Sequence, residues 1–117
     1  MSEQTTHPLD KTLVLLCAAN DVPESGGKRI EFDKRAPVAV FKLGAEFIVL
    51  DDTCTHAGAS MSEGEVIGDK IFCPAHAGEF ELKTGRALGF PATEDLRAYQ
   101  AIVFEGNIFA DLGGNSP

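Results

Sequence analysis

Two short cysteine–histidine pairs constrain this chain of 117 residues more than any other feature. Cys54 and His56 stand one residue apart, Cys73 and His76 stand two apart, and sixteen residues separate the pairs. Thiolate and imidazole groups are ligands that zinc and iron take in proteins, so the pattern predicts a metal site. It leaves open a structural zinc ion or a [2Fe-2S] cluster with two thiolates on one iron and two imidazoles on the other.

The rest of the chain consists of short segments rich in β-branched and aromatic residues, separated by glycine-containing turns. No long helical period is present, and the one place for a helical turn is near residues 95–97. This pattern predicts an all-β fold, an antiparallel β-sandwich or barrel. The strands are expected at 12–18, 28–33, 37–43, 46–50, 65–72 (with a turn at Gly68-Asp69), 79–83, 99–104 and 107–111, and Gly44-Ala45 predicts a hairpin between the third and the fourth.

Each cysteine–histidine pair directly follows an expected strand. Cys54 comes after the strand that ends near Leu50, and Cys73 comes after Phe72. A hairpin over residues 65–72 would return the chain, so that the second pair faces the first. The strand map therefore predicts that both ligand loops meet at one end of the sheet.

Length and composition indicate one domain, expected at residues 11–112 with flexible tails at 1–10 and 113–117. The formal charge is −8 with no concentrated basic face, which argues against nucleic-acid binding. No apolar run is long enough to span a membrane, and the polar N-terminus carries no export signal, so a cytoplasmic location is expected. Cys17 lies in an apolar run and is expected to be a buried, inert thiol. Phe41, Phe47, Phe72 and Phe80 are expected in the core.

The flanking residues match a known family. The chain resembles the Rieske-type [2Fe-2S] ferredoxins of bacterial aromatic-ring-hydroxylating oxygenase systems, and the likeness runs from about residue 11 to residue 112. The matching stretches are residues 54–64, 73–80, 83–85 and 89–92. The last of these resembles a proline loop that covers the cluster. Phe90 in this stretch is a candidate partner contact.

The resemblance implies a Rieske fold, in which two ligand loops form a small cluster-binding subdomain. It also implies a Rieske-type [2Fe-2S] cluster, with Cys54 and Cys73 on the inner iron and His56 and His76 on the outer iron.

Four positions depart from the high-potential Rieske proteins of respiratory complexes. Ala59 and Ala75 stand where those relatives carry a pair of disulfide-forming cysteines. Gly78 and Phe80 stand where they carry a serine and a tyrosine, so neither position offers a side-chain hydrogen bond to sulfur. We therefore expect a reduction potential near the low end of the Rieske range, about −150 mV.

By resemblance, the chain is a one-electron carrier between a flavoprotein reductase and a terminal Rieske non-haem iron oxygenase acting on an aromatic compound. We expect transient contacts with both partners and a monomeric chain. No nucleophile–base pair, carboxylate dyad or open iron site is visible, so no catalytic residue is expected. Asp51-Asp52 is expected to form a solvated turn, and Glu63 and Glu65 a solvated face. The alternatives are a small Rieske-like subunit of another oxidoreductase, such as nitrite reductase, and a structural zinc domain.

Overall fold

The computed structural model describes residues 13–55, 58–75, 78–89 and 94–112, which form eleven strands in three antiparallel sheets. The central sheet has the order β9-β4-β3-β2, the outer sheet β10-β11-β1, and the ligand-loop sheet β5-β6-β7-β8. The all-β prediction is confirmed. In chain order the strands are β1 Leu13–Ala18, β2 Gly27–Ile30, β3 Val38–Leu43, β4 Glu46–Asp51, β5 Glu65–Ile67, β6 Lys70–Phe72, β7 Glu79–Glu81, β8 Ala87–Gly89, β9 Ala98–Tyr99, β10 Ala101–Phe104 and β11 Asn107–Asp111.

The two middle strands of the central sheet, β3 and β4, are buried on both faces, because the other two sheets pack on opposite sides of them. Along β3, Ala39 and Phe41 point into a first core shared with the ligand-loop sheet. Val38 and Val40 point into a second core shared with the outer sheet. Successive side chains of a strand point to opposite faces, so a strand between two cores needs a continuous apolar run.

Two predicted hairpin turns are confirmed. The strands β3 and β4 pair in register from Val38 opposite Asp51 to Leu43 opposite Glu46, around Gly44 at φ +62°. The strands β5 and β6 pair around Gly68, which also has φ +62°. Glycine suits both turns because residues with a Cβ rarely adopt this left-handed backbone.

The expected helical turn at residues 95–97 is wrong. Leu96 donates its N–H to the carbonyl of Gly85 over 2.7 Å, so this segment bonds to a neighbouring turn instead of to itself. Single turns of 3-10 helix form elsewhere, at Ala19–Asp21 and Met61–Glu63. None of the helices in the described ranges is long and apolar enough to cross a membrane.

Several core expectations were only partly right. Phe41 and Phe80 are fully buried, whereas Phe47 and Phe72 are partly exposed. Cys17 is also only partly buried, because β1 is an edge strand of the outer sheet. Burial nevertheless raises the pKa of the Cys17 thiol above its usual value, which favours the unreactive protonated form. The expected tails lie outside the described residues.

Candidate metal centre

The two cysteines of the paired pattern lie in the same hydrophobic core. Cys54 and Cys73 are each 2% exposed, and both belong to the first core together with Met61, Ile71 and Phe80. They are nineteen positions apart in the sequence, so the fold brings them together. The prediction that the two ligand loops converge is supported for their cysteine ends.

Each cysteine begins a loop that is closed in the same way. The N–H of Cys54 donates to the carbonyl of Ala59, and the N–H of Cys73 donates to that of Gly78, both over 2.8 Å. Residues 54–59 are hereafter the first ligand loop, and residues 73–78 are the second ligand loop. The two thiols thus occupy equivalent positions in loops of equal length.

The bases of the two loops differ. Strands β6 and β7 hold the second ligand loop through a ladder that runs from Lys70 opposite Glu81 to Phe72 opposite Glu79. The first ligand loop is flanked by an isolated bridge between Thr53 and Ser60, after which the chain turns into the 3-10 turn. The second loop therefore rests on a regular hairpin, and the first does not.

Gly64 packs against the chain just before the second ligand loop. A Cβ placed on Gly64 would lie 2.3 Å from the carbonyl oxygen of Phe72 and 3.1 Å from that of Met61. Its φ of −76° is open to any residue, so lack of space, and not backbone conformation, requires glycine here. In the sequence, Gly64 is marked only as the last residue of the stretch 54–64 that resembles the family, and its packing role appears only in the folded chain.

A third segment is attached to the first ligand loop. The hydroxyl of Thr55, the residue after Cys54, donates to the carbonyl of Glu94 over 2.7 Å. Leu96, two residues further on, is 2% exposed in the first core. The chain that follows residues 90–93 is therefore fixed beside the ligand loops.

The two aspartates before Cys54 behave differently, and the expected solvated turn is wrong for one of them. Asp51 is partly exposed and accepts a hydrogen bond from the hydroxyl of Tyr99 over 2.7 Å. The guanidinium of Arg35 lies 3.4 Å from the same oxygen. Asp52 is only 1% exposed and turns inward, where hydroxyl, amide and guanidinium groups surround it. The sequence signal that could have located it is the polar pair Ser60 and Ser62 after the loop.

Other predicted site residues fall into two groups. Glu63 and Glu65 are exposed, as expected for a solvated face. His56 and His76 lie outside the described residues, as do Phe90 and the proline that follows it.

The described donors fit the thiolate half of a [2Fe-2S] site. Two buried sulfurs at equivalent loop positions can bind one iron, and the surrounding apolar side chains keep water away. Phe80 is fully buried in the same core and carries no polar atom in its side chain, while Gly78 has no side chain. Neither can donate a side-chain hydrogen bond to sulfur.

Comparisons with known proteins agree with this chemistry. The family model for the Rieske [2Fe-2S] domain matches residues 12–100. The chain is 43% identical over 105 residues to the 3-phenylpropionate/cinnamic acid dioxygenase ferredoxin subunit of Escherichia coli (strain K12), across 89% of this chain and 97% of that protein.

Two solved structures are similar as well. The Sphingomonas yanoikuyae B1 ferredoxin has a TM-score of 0.79 at 30% identity, across 84% of this chain and 96% of that chain. A chain from the complex of reduced oxygenase and oxidized ferredoxin in carbazole 1,9a-dioxygenase has a TM-score of 0.81 at 34% identity, across 92% of this chain and all of that one.

The relatives from Escherichia coli and from the carbazole 1,9a-dioxygenase complex are named as ferredoxins of dioxygenase systems, and the Sphingomonas yanoikuyae B1 protein is named as a ferredoxin. Ferredoxin components are electron-transfer subunits and not catalytic enzymes, and an electron-carrier role fits this chain. The fold, the paired thiols and the family match agree: the chain belongs to the Rieske [2Fe-2S] family, whose domain binds a Rieske-type [2Fe-2S] cluster.

Proposed function

We propose that this chain is a ferredoxin that carries one electron from a flavoprotein reductase to a terminal Rieske non-haem iron oxygenase acting on an aromatic compound. The observation that carries the proposal is the burial of Cys54 and Cys73 at equivalent positions of two loops in one core. The relative from Escherichia coli, matched over nearly its whole length, supports the dioxygenase setting.

In this proposal the cluster ligands are Cys54, His56, Cys73 and His76. When bound, the cluster takes up and releases one electron at a time. The thiols supply two anionic donors from the dry core, whereas the imidazoles are neutral, so the site carries less negative charge than one with four cysteines. Thr55 contributes by attaching the first ligand loop to the segment around Glu94.

The ligand assignment is tested by substitution, with the third cysteine as a control. Cys73→Ser and His56→Cys are expected to abolish the visible and EPR spectrum of a Rieske centre. Cys17→Ser is expected to keep it, because Cys17 lies on the edge strand of the outer sheet. A native spectrum in Cys73→Ser would contradict the assignment.

A low potential is part of the proposal. Hydrogen bonds to the sulfurs stabilise the reduced state, and Gly78 and Phe80 supply none from their side chains. We expect about −150 mV, the low end of the Rieske range, in a redox titration followed by visible absorbance. A clearly positive potential would contradict this part of the proposal.

We propose brief contacts with both partners by a monomeric chain in the cytoplasm. Leu88, which is 42% exposed, stands next to Gly89, and Gly89 pairs with Glu79 directly after the second ligand loop. An exposed apolar residue beside the second ligand loop suits a small, short-lived interface. Cys17, Cys54 and Cys73 form no disulfide with one another, which is usual for a cytoplasmic protein.

The decisive experiment follows the electron through the purified chain. The chain is mixed with NADH and a ferredoxin reductase, and then with the terminal oxygenase, while its visible spectrum is recorded. Bleaching on reduction and recovery on mixing with the oxygenase are expected. A colourless chain holding stoichiometric zinc would favour the zinc domain, and persistent co-purification with a large subunit would favour the subunit of another oxidoreductase.

A further inference from the structure

Asp52 is a buried carboxylate placed directly beneath the first ligand loop. Its Oδ2 accepts a hydrogen bond from the hydroxyl of Ser60 over 2.6 Å, and its Oδ1 accepts one from the N–H of Ser62 over 2.8 Å. Its backbone carbonyl accepts from the N–H of Met61 over 2.6 Å. All three donors belong to the residues that immediately follow the loop, so Asp52 spans its base from one side to the other.

The first ligand loop needs such a clamp because it lacks a ladder. The second ligand loop is flanked by a regular ladder, which pairs Phe72 with Glu79 directly at its base. In the first, the 3-10 turn at Met61–Glu63 carries the N–H groups of Met61 and Ser62 out of strand pairing. The backbone and carboxylate oxygens of Asp52 take up those two groups, and the side-chain contacts replace the missing strand.

Asp52 also carries its carboxylate charge in a buried position. Among the described residues, the buried polar or charged side chains are Asp52 and Ser62. The guanidinium of Arg29 lies 3.3 Å from Asp52 Oδ2, but that side chain is 44% exposed and also pairs with Glu31 over 3.0 Å. A solvated, shared cation compensates a buried carboxylate only in part.

We propose that Asp52 is a positioning residue for the iron–sulfur centre: it holds the base of the first ligand loop and, with Arg29, sets the charge beneath that loop. A fixed negative charge two residues before a cluster ligand disfavours the addition of an electron, and a nearby cation opposes this effect. The proposal rests on the ligand assignment above, which places Cys54 on the inner iron.

Two substitutions of Asp52 in the holoprotein separate its charge from its geometry. Asp52→Asn keeps the shape and removes the charge, so the reduction potential becomes more positive. Asp52→Ala also removes the clamp, so hydrogen exchange of the peptide covering residues 60–64 accelerates by about tenfold or more, as expected from lost hydrogen bonds to a charged acceptor. The matched controls Asp51→Asn and Asp51→Ala leave both readouts unchanged, because Asp51 contacts Tyr99 and Arg35 instead of the first ligand loop, and solvent and Arg35 screen its partly exposed charge.

Substitutions of Arg29 and Ser60 test the same proposal if the Asp52 variants do not fold. Arg29→Gln leaves the carboxylate less compensated, so the potential becomes more negative, opposite to Asp52→Asn. Ser60→Ala accelerates exchange over residues 60–64, and Ser60→Thr, which keeps the hydroxyl, restores it. A potential that moves in the same direction in Asp52→Asn and Arg29→Gln overturns the proposal. So do Asp52 variants that change only the melting temperature.

The results that would contradict the proposed function differ from those that would overturn the role of Asp52. The proposed function fails if Cys73→Ser keeps the native spectrum, or if the wild-type chain does not relay electrons, whatever the Asp52 variants do.

Discussion

Gly64→Ala tests whether close packing between the two ligand-loop regions holds the metal centre together. The added Cβ would lie 2.3 Å from the carbonyl oxygen of Phe72, whereas carbon and oxygen in contact stay about 3.3 Å apart. Backbone on one side must therefore move by about 1 Å. Overpacking of this kind costs about 1–3 kcal/mol, and the upper part of that range applies because the obstructing atoms belong to backbone that cannot rotate away.

The moved backbone directly precedes Cys73, so cluster retention reports the effect. If a cost of about 2–3 kcal/mol appears in the opening step that releases the cluster, loss of visible absorbance at fixed urea accelerates by about 30- to 140-fold. The melting of the fold is followed in parallel by circular dichroism, since the chain has no tryptophan and one tyrosine.

Gly89→Ala is the matched control, because it adds the same methyl group near the second ligand loop, but in open space. Among the residues that the structure describes, no non-neighbouring atom lies within 4 Å of a Cβ placed there, so bleaching stays within about threefold of wild type. The packing argument would be refuted if Gly64→Ala bleached no faster than Gly89→Ala.

Three further predictions concern the surface, the potential and the pH dependence of stability. Leu88→Ser is expected to slow reduction of the oxygenase several-fold in stopped-flow mixing, without changing the reduction potential. Ile67 is 55% exposed at the far end of the same sheet, and Ile67→Ser is expected to leave that rate unchanged. Phe80→Tyr is expected to raise the potential in a redox titration if its hydroxyl reaches a sulfur; an equally low value, with the cluster intact, would argue against missing donors as the cause. Burial raises the pKa of Tyr99 above its ordinary value of 10.0, so the folded chain holds this proton more tightly than the unfolded chain does. The stability that this proton provides below pH 10 is therefore lost as the pH rises past that value. Tyr99→Phe is expected to lower the stability by about 1 kcal/mol, because the hydrogen bond to Asp51 is lost. The variant is also expected to show a flatter loss of stability in thermal melts from about pH 9 to about pH 11. A wild-type profile as flat as that of Tyr99→Phe would contradict it.

Local sequence patterns predicted much of the fold because turns and strands depend on neighbouring residues. Gly44 and Gly68 mark hairpin turns that need a left-handed backbone, and apolar runs mark the strands around them. The helical turn expected at residues 95–97 failed for the opposite reason. The partner of Leu96 is the carbonyl of Gly85, eleven positions away, and no local pattern contains that contact.

The sequence by itself determined the chemistry of this protein. Two cysteines and two histidines in a fixed spacing specify soft and borderline ligands. Ala59 and Ala75 cannot form a disulfide, and Gly78 and Phe80 offer no side-chain hydrogen-bond donor to sulfur. Ligand type depends on which atoms the residues carry, so it can be read without a fold.

Only the tertiary structure decided how Asp52 and Gly64 serve the site. Asp51 and Asp52 are identical in type and adjacent, yet one meets Tyr99 at the surface and the other is buried beneath the first ligand loop. Burial depends on which distant elements pack against a residue, and neighbouring positions on an extended chain face opposite ways. The supporting contacts of the site therefore arise from packing, whereas the residue types proposed as its ligands can be identified in the sequence.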